Sequence, residues 1–207
     1  MKSSPKFEKK LPEVYTEDEI KRFFDSLEDL YDKVVFELLL KTGLREQEAM
    51  YLEWADIVFG AGTLTIHSKP KYGFKIKDKE ERALHIPPDL LERLKKLRAK
   101  RPKSQLVIGT TNDRPNMKLL RLLKRRVNAA GIQCGTCNSC KGHNECERWF
   151  LHKFRSTYAT MLLRSGLDLT TVQGMMGHSD LQSTMRYLRP QENVRTQATI
   201  NAIHWGA

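Results

Sequence analysis

The polar residues most able to share one task lie in the stretch 151–190, LHKFRSTYATMLLRSGLDLTTVQGMMGHSDLQSTMRYLRP. His152 and Arg155 are spaced so that a helix would project both from one face. His178 follows Gly177 and can be aimed into a cleft, and Tyr187 comes shortly before Pro190. A guanidinium, two imidazoles and a phenol gathered in one place suit an anionic substrate better than a carbonyl or a sugar. Taken singly, each residue has an ordinary structural role: a partly buried histidine, a surface ion pair, a loop histidine, a half-buried tyrosine. Order and spacing, more than residue type, separate the two readings.

Several short elements have to position these groups. The stretch itself reads as three helices. The first covers about 151–165 and stops at Gly166, a residue suited to the left-handed position past a helix end. Asp168 caps the second, which ends near Gly177, and the third carries Tyr187 before Pro190 stops it. Upstream, Thr16-Glu17-Asp18-Glu19 forms a capping box for a helix with Ile20, Phe23, Phe24, Leu27 and Leu30 on one face. A more apolar helix over 34–41 ends at Thr42-Gly43. Strands are predicted over 63–67 and 83–86, the second ended by Pro87-Pro88. Between them S-K-P-K-Y-G-F-K-I-K-D-K-E-E-R makes an enlarged, lysine-rich hairpin tip. An amphipathic helix over 88–100 turns Leu90, Leu91, Leu94 and Leu97 inward, and 106–108 is a short apolar run. A helix over 117–130 carries Lys124, Arg125 and Arg126, which either lie along a DNA backbone or form a solvated face.

The chain has 207 residues, enough for one domain with a substantial core. Lysine plus arginine number 36 against 25 acidic residues, a net charge of +11 that points to a polyanionic partner, with nucleic acid as the default. An anionic membrane surface ranks second, since the sequence offers neither an uninterrupted apolar span nor a basic amphipathic anchor. Residues 1–11 read as a loose basic tail, and the polar, lysine-rich N-terminus is unlike a signal peptide. A soluble cytoplasmic protein is the expectation.

The segment C-G-T-C-N-S-C-K-G-H-N-E-C places all four cysteines, plus His143, in one loop. Disulfides fit poorly with a reducing cytoplasm. Bacterial ferredoxins space their fourth cysteine differently and follow it with proline. Glycines and asparagines between thiolates suit a tight knuckle around a tetrahedral ion, so structural zinc is expected on Cys134, Cys137, Cys140 and Cys146, with His143 as the alternate fourth ligand. Four protein ligands leave no position for water, so such a metal holds the loop and fixes the start of the helix bearing His152 and Arg155.

In their order and register, H-K-F-R, G-H-S-D-L and T-M-R-Y resemble the His-x-x-Arg, Gly-His and Thr-x-x-Tyr signature of the tyrosine recombinases, the phage integrase family. T-G-L-R-E-Q-E resembles that family's first arginine box, with Arg45 as the phosphate-binding arginine and Glu48 as its carboxylate support. The resemblance runs from about residue 11 to 189, interrupted chiefly by the cysteine loop and the long hairpin tip. It implies a mainly helical catalytic domain with a small antiparallel sheet over 12–207, a cysteine-rich insertion at 134–146 and a C-terminal tail at 191–207. It also implies DNA cleavage through a 3′-phosphotyrosine. In that scheme Tyr187 is the nucleophile, Arg45 and Arg155 bind the phosphate, and His152 shuttles the phenol proton. His178 donates to a phosphate oxygen, and Lys69 protonates the departing 5′-oxygen with Lys71 as its rival. No metal is implied in the chemistry. Lys71, Lys75, Lys77, Lys124, Arg125 and Arg126 are the expected DNA contacts. Double-stranded DNA and further copies of the chain are the expected partners, and the separate N-terminal clamping domain usual in the family is expected to be missing. Two alternatives share the motifs: relaxation of DNA in the manner of a type IB topoisomerase, and a DNA-binding module that keeps the fold without catalysis.

Overall fold

A computed structural model of the chain describes residues 12–76, 81–141, 145–179, 181–185 and 187, without the side chains of 181 and 182. The expected tail at 1–11, Lys77, His143, Pro190 and the segment 191–207 lie outside the described residues.

The first helix, α1 (Glu17–Asp25), opens on the expected reciprocal cap: Glu19 donates its backbone N–H to the Thr16 hydroxyl, and Thr16 donates to the Glu19 carboxylate. Its apolar face buries Phe23, which meets Phe36 edge-on and Trp149 at a tilt. The next helix, α2 (Leu30–Thr42), is longer than the sequence suggested and is buried along most of its length, including Val34, Val35, Phe36, Leu38 and Leu39. A short α3 (Glu46–Met50) follows directly. Strands β1 (Ile57–Val58), β2 (Thr63–Ile66) and β3 (Arg82–His85) form one antiparallel sheet in that order, with Leu64 opposite Leu84. Then come α4 (Pro88–Lys100), α5 (Leu119–Ala129) and the one-turn α6 (Asn138–Lys141). The last three are α7 (Leu151–Arg164), α8 (Leu169–Met176) and α9 (Leu181–Met185). Among the described residues this is a mainly helical fold with one small antiparallel sheet, as expected. No described helix is long and apolar enough to cross a membrane.

The main core lies where α2 packs against both α7 and α4. A smaller cluster of Tyr158, Ala159, Val172, Met176 and Tyr187 joins α7 to α8 and to the turn after α9. Three local expectations need adjustment. Tyr187 lies in a turn past α9, not within the helix. The hairpin tip is not uniformly solvated: Phe74 and Ile76 are buried, and Lys69 and Phe74 pair backbone to backbone around a 3-10 turn at Pro70–Tyr72. Of the basic run on α5, Lys124 donates to the Cys146 carbonyl and Arg126 pairs with the buried Asp32, while Arg125 is exposed.

Candidate active site and cysteine knuckle

Local chain reversals set the site. Helix α2 ends on Gly43 with φ +63°, and α8 ends on Gly177 with φ +58°; both are left-handed positions that favour glycine. The turn at Gly43 delivers Arg45 to the head of α3. The turn at Gly177 delivers His178 from the end of α8. Gly43 has a second constraint, because a Cβ there would lie 2.2 Å from Cδ1 of Tyr158. Gly43→Ala is therefore expected to cost roughly 1–3 kcal/mol of stability through overlap and backbone strain. Denaturant melts should show it, and a wild-type midpoint for this variant would contradict the packing described.

Glu48 is the anchor of the cationic cluster. Its buried carboxylate accepts from the Arg45 backbone N–H at 2.8 Å and from Arg45 Nη1 at 3.0 Å. It also accepts from Arg82 Nη2 at 2.7 Å and Nη1 at 3.1 Å. Burial opposes the carboxylate's charge, but the hydrogen bonds and charges of Arg82 and Arg45 outweigh it and hold Glu48 below the usual glutamate range. Arg155, only 2% exposed, donates to the carbonyls of Gly43 and Met176. Burial and the charge of Arg45 pull its pKa down to about 10, so it remains a cation at neutral pH.

An open cavity of about 410 Å³ lies over this cluster, lined in part by Arg45, Glu48, Phe74, His152 and Arg155. His152 is exposed on α7, one turn before the buried Arg155. His178 and Tyr187 are outside the cavity lining. His178 Nδ1 instead forms a hydrogen bond with the Thr184 hydroxyl at 2.7 Å, and its ring stacks at 6.3 Å between centroids on the Tyr187 ring, which is 4% exposed. Lys69 is also outside that lining: its ammonium reaches Asp56 at 2.6 Å, His67 at 3.0 Å and Glu53 at 3.1 Å. Lys71 is more exposed and pairs with Glu53. Lys75 is exposed at the hairpin tip. The fold thus gathers Arg45, Glu48, His152 and Arg155 on one cavity, places His178 and Tyr187 together beside α8, and holds Lys69 among carboxylates.

Sequence reasoning missed Arg82, Asp56 and Glu53. For Arg82 a signal was present. It begins β3 two positions before the buried Leu84, so strand alternation turns its side chain to the same face. The many lysines just before it masked that pattern.

The cysteine loop forms a compact site. The four sulfurs of Cys134, Cys137, Cys140 and Cys146 all lie within 4.8 Å of one another, with Cys134 and Cys140 3.8 Å apart. A zinc tetrahedron with Zn–S bonds of about 2.3 Å has edges of about 3.8 Å, so this arrangement fits the ion. Backbone N–H groups of Cys137 and Cys140 donate to the sulfurs of Cys134 and Cys137 at 3.3 and 3.4 Å, which favours thiolates there. Cys146 leads directly into Trp149, buried against Tyr15 and Phe23, and then into α7.

Comparison with known proteins bears on this geometry. The model of the phage integrase family matches residues 13–193. Tyrosine recombinase XerA of Pyrococcus furiosus is 28% identical over 90% of this chain and 60% of its own length. Tyrosine recombinase XerC of Staphylococcus aureus is 27% identical over 96% of this chain and 63% of its own. The chain thus spans about 60% of the length of these relatives. Among solved structures, the Tn1549 transposon integrase in complex with transposon right end DNA shares the fold at a TM-score of 0.75, with 17% identity over 96% of this chain and 69% of the other.

Proposed function

Because the chain belongs to the phage integrase family, we propose that it cleaves and rejoins double-stranded DNA through a 3′-phosphotyrosine on Tyr187. The observation that carries this reading is the pair of guanidiniums, Arg45 and Arg155, held at one cavity beside the His178–Tyr187 pair. The Tyr187 oxygen attacks the scissile phosphorus, the bond from phosphorus to the 5′-oxygen breaks, and a 3′-phosphotyrosine and a 5′-hydroxyl result. Arg45 and Arg155 supply forked donors to the non-bridging oxygens, where charge grows in the transition state. Their positive charge also stabilises the negative charge that builds on the attacking oxygen during the step. His152 takes the phenol proton, His178 donates to a phosphate oxygen, and Lys69 protonates the 5′-oxygen. Attack by a 5′-hydroxyl on the phosphotyrosine reverses the step, so strands rejoin or exchange with no external energy source.

Two groups have to move for this. The Tyr187 ring is packed against α8, so its turn must open outward to reach a phosphorus. The Lys69 ammonium must leave Asp56 and Glu53, or Lys71, already exposed, takes its role. Of the expected DNA contacts, Lys71, Lys75 and Arg125 are exposed and open to backbone contacts. The names of the relatives support recombination over relaxation of DNA, and self-association on DNA follows from strand exchange between sites. A nicked duplex whose short 5′ fragment diffuses away should trap the protein as a species shifted in denaturing gels. Tight duplex binding with no covalent species would favour the non-catalytic alternative.

The four thiolates are proposed to hold zinc as a structural ion that keeps Cys146, Trp149 and the start of α7 in register. Elemental analysis should give a single zinc per chain, lost with partial unfolding in Cys137→Ser. Metal-free protein with reactive thiols and an intact α7 would remove the idea.

A further inference from the structure

Three consecutive carbonyls at the end of α8 each accept from a different arginine. Met175 O accepts from Arg82 Nε at 3.0 Å, Met176 O from Arg155 Nη2, and Gly177 O from Arg45 Nη2 at 2.7 Å. Two of these arginines have a proposed role at the phosphate; Arg82 has none. Its side chain is 8% exposed, more buried than that of Arg45, and it comes from the sheet rather than from α3 or α7.

From this geometry we infer that Arg82 is a positioning residue for strand cleavage, setting Arg45 through Glu48 and setting the His178 turn through Met175. Three observations support it. First, the lone pairs of Glu48 are fully used: Oε1 accepts from Arg45 Nη1 and Arg82 Nη1, and Oε2 from the Arg45 N–H and Arg82 Nη2. The carboxylate is therefore fixed from both sides, and so is the guanidinium it orients. Second, charge matters. Arg45 and Glu48 alone sum to zero; with Arg82 on the same carboxylate the three groups together carry one net positive charge. Third, Arg82 touches the turn itself. A Cβ on Gly177 would lie 2.9 Å from Arg82 Nη1, so the guanidinium packs flush against the residue that delivers His178. A lysine cannot reproduce this, because one ammonium cannot fork across both carboxylate oxygens while also reaching Met175.

The inference rests on the proposed cleavage by Tyr187, and the test separates the two. Single-turnover cleavage of the nicked duplex at saturating DNA is measured for wild type, Arg82→Gln, Arg82→Lys, Glu48→Gln and Arg82→Gln/Glu48→Gln, with the melting temperature of each. Wild type that forms no adduct sinks the cleavage proposal itself. If wild type cleaves, Arg82→Gln should be slower by about a hundredfold at an unchanged duplex Kd, and Arg82→Lys should recover little. The double variant should be no slower than the worse single one, since both changes disable the same support. A methylphosphonate at the scissile position, lacking one charged oxygen, should shrink the Arg82→Gln defect by about tenfold, a change that a purely structural role would not produce. Rates for Arg82→Gln within about threefold of wild type would overturn the inference. So would a defect that follows the melting temperature alone and is the same on both linkages.

Discussion

Tyr187→Phe is expected to abolish the covalent DNA adduct while leaving the fold and duplex affinity close to wild type. The substitution removes a single oxygen. The ring keeps its contacts with Tyr158, Val172 and Met176 and its stacking on His178. Any stability change should stay at about the value of one hydrogen bond, roughly 0.5–1.5 kcal/mol. The chemical loss is complete by contrast, because no phosphoester can form without the oxygen. Tyr158 is the internal control. It lies one turn after Arg155 on α7, and burial pushes its hydroxyl up to about 12, which suits a packing residue. Tyr158→Phe should therefore form the adduct normally. Denaturing gels of trapped complexes and duplex titrations, run side by side, read both expectations.

The second large effect is expected at Arg155. Arg155→Ala should slow single-turnover cleavage by about a hundredfold or more, the loss of several kcal/mol of transition-state stabilisation. It should also destabilise the fold, because the carbonyls of Gly43 and Met176 both lose a buried donor, each worth about 1–3 kcal/mol when left unsatisfied. Arg155→Lys separates the two consequences. It keeps a cation at the site but cannot fork between the carbonyls and a phosphate, so melting should partly recover while cleavage stays at least about tenfold down. An Arg155→Ala variant that cleaves within about threefold of wild type would remove this residue from the chemistry.

What could be read from the sequence was what depends on neighbours in the chain. The Thr16–Glu19 box, the helix ends at Gly43 and Gly177, the left-handed Gly166 and the Asp168 cap are each decided by a few adjacent residues, and the structure shows all of them. The cysteine spacing belongs to the same class, because a tight loop alone brings the sulfurs together. What stayed hidden depends on partners far along the chain. Lys69 reads as the lysine that protonates the 5′-oxygen, but nothing near it in the chain shows that Asp56 and Glu53 arrive from before β2 and bury it. Lys124 and Arg126 looked like a stripe for DNA, yet the knuckle and α2 supply the Cys146 carbonyl and Asp32 as partners. Phe74 and Ile76 sat in a run too charged to suggest core positions, yet both join the main core, with Phe74 stacked on Tyr51. Arg45 and Glu48 could be paired from their spacing alone, but the second arginine on that carboxylate comes from β3 and gives no local sign of its target.

The most direct test of the account is to find which residue carries the DNA. Wild-type protein is incubated with the nicked duplex in buffer without added divalent ions, the trapped complex is digested with protease and nuclease, and the modified peptide is sequenced by mass spectrometry. One nucleotide-bearing peptide is expected, modified on Tyr187 through the phosphate on the 3′-oxygen of the cleaved strand. Modification of another residue, a 5′-linked phosphate, or the same adduct persisting in Tyr187→Phe would contradict it.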